Sequence, residues 1–115
     1  MDDEVPEDEN TALLENKGYT VLSGKKRIPV HIAVGSKETL QSRLFLDYIV
    51  EKDDKLYAVK TAKERKPLEM TGSAVRERLL IYQLLIPEAA GVLYIDAANG
   101  RVDRFEFQLI YDEEE

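Results

Sequence analysis

Leu44-Phe45-Leu46-Asp47-Tyr48-Ile49-Val50-Glu51-Lys52-Asp53-Asp54-Lys55-Leu56-Tyr57-Ala58-Val59-Lys60-Thr61 is the stretch from which the rest of the chain can be read. Apolar, β-branched and aromatic residues run up to Asp53-Asp54 and resume after it, which predicts a hairpin with strands over 44–50 and 56–61. Side chains alternate along a strand, so Tyr57 and Val59 share one face and Ala58 and Lys60 the other. Asp47 stands inside the first strand and Lys60 near the end of the second. A charge buried alone is costly. Two opposite charges at facing positions therefore mark either a site or a pair that neutralises itself.

On the N-terminal side, 11–17 predicts a short helix with Asn10 as N-cap and Gly18 as the residue that ends it. Tyr19, Val21 and Leu22 follow as an extended segment. Lys25, Lys26 and Arg27 fall in a turn and read as a solvated basic cluster. The alternating, β-branched run 28–34 predicts a strand, with Pro29 at an edge or at the strand's start and His31 as an ordinary strand residue. The polar stretch 35–41 reads as a connection. On the C-terminal side, Thr71-Gly72-Ser73 opens a helix with Ser73 as N-cap. Val75, Leu79, Tyr82 and Ile86 recur at the helical period, and Pro87 stops it. A compact strand over 91–96, a turn at Asn99-Gly100 and a closing strand over 102–110 complete the chain. The fold class is α/β: a single domain with a mixed sheet flanked by helices.

Composition bounds the function. The 115 residues amount to one domain, expected over 11–111, with an acidic disordered tail over 1–10 and a second acidic tail over 112–115. The absence of cysteine excludes disulfides, thiolate metal sites and cysteine nucleophiles, and it suits a reducing, cytoplasmic setting. A single histidine argues against a histidine-rich metal centre or a serine-histidine triad. No apolar run reaches the roughly 20 residues of a membrane span, so no membrane partner is expected. The net charge of −7 argues against a phosphate-bearing partner until it is divided by position. Ten of the 23 acids lie in 1–9 and 112–115, which leaves 13 acids against 16 bases, or about +3, for the body.

Asp47 before the turn and Lys60 after it resemble the motif of the restriction-endonuclease-like nucleases, the PD-(D/E)xK superfamily. In that family an Asp ends one strand and an acid-x-Lys follows on the next. The likeness extends to the leading helix with Gly18-Tyr19-Thr20-Val21-Leu22, to Arg78-Leu79-Leu80-Ile81-Tyr82-Gln83-Leu84-Leu85, and to Gly91-Val92-Leu93-Tyr94-Ile95-Asp96. It covers most of 11–110. The resemblance implies a restriction-endonuclease-like sheet, Mg²⁺ on Asp47 and a second acid, and Lys60 beside the attacked phosphodiester, since hard cations take oxygen ligands and a cation stabilises developing charge. The second acid is missing, for Ala58 occupies its place. Glu77 or Gln83 from the following helix are candidate replacements. Glu64-x-Lys66 fits the spacing formally but lies past the strand end, and Asp53-x-Lys55 falls in the turn. Lys63, Arg65 and Lys66, extended by Arg76 and Arg78, form a candidate nucleic-acid-binding patch.

Three function classes follow. The one the residues favour is a degenerate nuclease-like domain that binds a nucleic acid, with DNA as a candidate, or a protein, with weak or no cleavage. The second is an active Mg²⁺-dependent nuclease with a relocated acid. The third is an unrelated α/β interaction module. A domain this small also admits homo-oligomerisation.

Overall fold

The computed structural model describes residues 7–111; the acidic stretches over 1–6 and 112–115 lie outside the described residues. The first helix, α1, spans Glu9–Asn16. Its N-cap is Asp8 rather than Asn10: the Asp8 carboxylate accepts from Thr11 N at 2.9 Å, and Asp8 N donates to Thr11 Oγ1 at 2.9 Å. Asp8 and Glu9 therefore open the helix, where carboxylates offset the unpaired N–H groups. Gly18 follows the helix at φ +95°, a conformation open to a residue without Cβ.

Strand β1 is Thr20–Ser23, β2 Lys26–Val34, β3 Glu38–Leu46, β4 Tyr48–Lys52 and β5 Lys55–Thr61. Then come α2 over Gly72–Leu85, β6 over Gly91–Asp96, a 3₁₀ turn over Ala97–Asn99 and β7 over Arg101–Phe105. Five strands make one mixed sheet in the order β1-β4-β5-β6-β7, and β2 and β3 form a separate hairpin. Among the described strands only β5 and β6 pair in parallel, joined through α2, as a crossover connection requires.

The deciding stretch forms the expected hairpin, with one break. The strand predicted over 44–50 is divided at Asp47: β3 ends at Leu46 and β4 begins at Tyr48. Asp53 and Asp54 at φ +55° and +65° make the two-residue turn, and β4 pairs with β5 from Tyr48↔Val59 to Lys52↔Lys55. Alternation divides the core. Tyr57 and Val59 face a cluster with Leu14, Tyr19, Val50, Leu93 and Ile95, under α1. Ala58 faces one with Leu46, Leu79, Tyr82, Val92 and Tyr94, under α2. The sheet thus lies between two helices.

Three expectations are corrected. The N-cap of α2 is Thr71, whose hydroxyl accepts from Ala74 N at 3.2 Å, and Ser73 lies inside the helix. The closing strand stops at Phe105 because its partner Val92 lies one residue from the start of β6, so 106–111 has no strand to pair with. The polar stretch 35–41 is not a plain connection: only 35–37 turn, and Glu38 onward pairs with β2 in unbroken register. Gly91 lets β6 and β7 approach closely, since a Cβ there would stand 2.6 Å from the Phe105 carbonyl oxygen.

Candidate nucleic-acid interface

Asp47 and Lys60 meet. Asp47 N donates to Val59 O at 3.2 Å, which holds the break against β5. Asp47 Oδ2 accepts from Thr61 N at 2.9 Å and from Thr61 Oγ1 at 3.2 Å, and lies 3.6 Å from Lys60 Nζ. Lys60 Nζ also donates to Phe45 O at 2.8 Å and stands 4.7 Å from the centre of the Tyr82 ring. Both side chains are largely shielded, at 15% exposure for Lys60 and 17% for Asp47. The pair thus ties the end of β3 to the end of β5, and its charges offset each other.

The Mg²⁺ implied by the resemblance does not fit these residues. Ala58 is fully buried beneath α2, where its methyl is part of the core. Glu77 is 74% exposed and paired with Arg76 at 3.3 Å. Gln83 Nε2 donates to Ala89 O at 2.8 Å and Ile86 O at 3.4 Å, so it closes the end of α2. Glu77 and Gln83 thus have partners other than Asp47. Among the described residues, no group of three or more acids or histidines could hold a metal ion.

What does converge near Lys60 is positive charge. Lys60, Lys63, Lys66 and Arg78 line a cleft of about 200 Å³ together with Thr61, and no acid lines it. Its wall includes Tyr82 and Tyr94. The loop after β5 folds back on itself, with Lys66 N donating to Lys63 O at 3.1 Å, so both lysines come to the same cleft. Arg78 Nη2 holds that loop, donating to Lys66 O at 2.6 Å and Pro67 O at 3.3 Å. The Tyr94 hydroxyl is buried without a hydrogen-bond partner among the described residues. A buried orphan hydroxyl is uncommon, and here it belongs to a residue of the cationic cleft. Sequence reading missed it, because a tyrosine in an apolar strand looks like core. Arg65 does not line this cleft but borders an adjoining hollow with Lys63, Lys66 and the acid Glu64, and Arg76 is engaged with Glu77 on α2.

Asp47 lines a second cleft, on the other side of Thr61, with Asp8, Asn10, Lys25 and Tyr48. Tyr48 Oη donates to Asp8 Oδ2 at 3.0 Å and Oδ1 at 3.3 Å. Burial, with a smaller contribution from the adjoining Asp8, pushes the Tyr48 phenol up to about 12. This contact clamps α1 to the start of β4.

No family model matches the chain, and no curated protein is significantly similar to it in sequence. Among solved structures, the crystal structure of SSO0001 is distantly similar, at 19% sequence identity and a TM-score of 0.48 over 90% of this chain and 48% of that one. The chain therefore spans about half the length of that protein. Over the described residues the architecture stands as an α/β single domain: a mixed five-strand sheet plus a hairpin, with two α-helices. No helix among the described residues is long and apolar enough to cross a membrane.

Proposed function

We propose that this domain is a degenerate relative of the restriction-endonuclease-like nucleases that binds DNA through its phosphates and does not cut it. The observation that carries the reading is the contrast between two neighbouring places. Where the resemblance wants a carboxylate, Ala58 is sealed in the core. Two residues further along the same strand, Lys60 opens a cleft shared with Lys63, Lys66 and Arg78. With Lys60 balanced by Asp47 and Arg78 holding the loop, Lys63 and Lys66 are the cations that suit a phosphate group, which accepts charge-assisted hydrogen bonds from both. The Asp47–Lys60 pair then serves as the hinge pin of the site, fixing the strand ends from which the cationic loop departs.

The test is incubation of the full chain with end-labelled duplex and single-stranded DNA, with Mg²⁺ and separately with Mn²⁺. The expected outcome is retarded DNA of unchanged length. Shortened products that vanish in Asp47→Ala and Lys60→Ala would establish an active nuclease instead. No retardation of either DNA form would remove the nucleic-acid reading.

A further inference from the structure

The β2–β3 hairpin does not belong to the main sheet. Its strands are nine residues each, paired without interruption from Lys26↔Leu46 to Val34↔Glu38. At roughly 3.3 Å per residue this makes a ribbon about 30 Å long. Every residue from 31 to 43 is exposed. The radius of gyration, 15.9 Å, exceeds the roughly 13 Å of a compact chain this long, as a projecting arm requires.

The two faces of the ribbon differ. Directly opposed residues share a face. One face carries Ile28, Val30, Ile32 and Val34 against Leu44, Ser42, Leu40 and Glu38. The other carries Arg27, Pro29, His31 and Ala33 against Phe45, Arg43, Gln41 and Thr39. That second face is polar, holds two exposed arginines and holds no acid. Over 25–46 the chain has five bases and one acid, in a protein whose overall charge is −7. At the root, Lys25 Nζ stands 5.0 Å from the centre of the Phe45 ring, and Lys60 Nζ binds Phe45 O at 2.8 Å. The arm thus begins at the lysine that lines the cationic cleft.

We infer that the arm is a second nucleic-acid contact, which lays the Arg27–Arg43 face along the phosphates of duplex DNA. The inference rests on the proposed DNA-binding reading and extends it from a single cleft to a ribbon. Shape and charge select this occupant. A two-stranded ribbon enters a major groove about 12 Å wide.

The experiment is fluorescence anisotropy of a labelled 20-base-pair duplex and the matching single strand across a salt series, with the full chain and two variants. Arg27→Ala/Arg43→Ala alters the exposed face alone. A shortened arm, with 31–41 replaced by Asn-Gly, is verified as folded by circular dichroism. The expected result for the double variant is a duplex salt slope shallower by about 2, with several-fold weaker duplex binding. The shortened arm should lose duplex binding further and keep single-strand binding through the cleft. Wild-type binding that neither variant changes would overturn the arm while leaving the cleft reading intact. No wild-type binding to either DNA would remove both. A shift from dimer to monomer on shortening, with DNA binding unchanged, would replace the inference with a self-association arm.

Discussion

At Ala58, where the resemblance would place a carboxylate, the side chain is a piece of core. Its methyl lies at 0% exposure against Leu79 and Tyr82, so Ala58→Glu must bury a carboxylate where no partner waits. The expected cost is about 3 kcal/mol or more, seen as a lower midpoint in urea unfolding. A variant as stable as the wild type that acquired Mg²⁺ binding would show instead that the position still addresses a metal site. Tyr48 gives a second prediction at this scale. Its pKa is raised from the ordinary 10.0 to about 12, chiefly by burial. Above pH 10 the unfolded chain gives up this proton while the folded chain keeps it, so folding stability falls as pH rises from about 10 to about 12. Tyr48→Phe should flatten that alkaline decline, and at neutral pH should cost about 1 kcal/mol for the lost bond to Asp8. Thermal unfolding followed from pH 8 to 12 checks both signs.

At the scale of the element, legibility followed the strength of the local signal. The 44–61 hairpin was readable because alternation and the Asp-Asp turn agree, and this also placed Asp47 near Lys60. The break at Asp47 was not readable, because it comes from tertiary bonds to Val59 and Thr61 fourteen or so residues away. The β2–β3 arm was half-legible. Ile28 to Val34 alternates clearly, but Glu38 to Arg43 is too polar to announce a strand, and it is one only because β2 supplies its partner. The helix starts were misplaced by two residues each, Asp8 for Asn10 and Thr71 for Ser73. In each case two capable capping residues stand close together in the chain, and packing chooses between them. The hairpin turn carries its own prediction. Asp54 sits at φ +65°, where a Cβ is disfavoured. Asp54→Gly should stabilise the protein by about 0.5–1 kcal/mol by relieving it, as the preference for Asp-Gly in such turns indicates. An unchanged or lowered midpoint in chemical denaturation would mean that the Asp54 side chain contributes more than its backbone costs.

Across the whole molecule, charge is sorted rather than averaged. Six acids precede Asn10 and four follow Tyr111, while the body holds more bases than acids. The cationic groups that share a location do so around Lys60, where the loop after β5, the middle of α2 and the root of the arm meet. Part of this was visible as the run Lys63, Arg65, Lys66. What could not be seen was the sorting within that run. Lys63 and Lys66 turn into the cleft with Arg78, whereas Arg76 pairs with Glu77 and Gln83 leaves for the far end of α2. Helical spacing places Glu77 and Gln83 on the element that covers Ala58, but their neighbours, not their spacing, decide which way they are spent.

The most direct measurement is the salt dependence of duplex DNA binding by the full chain beside Lys63→Ala/Lys66→Ala, both exposed loop residues whose removal leaves the core untouched. Phosphate binding in the cleft predicts a linear fall of log affinity with log salt, and a slope shallower by about 2 in the double variant. Equal slopes and equal affinities for the two proteins would contradict the account.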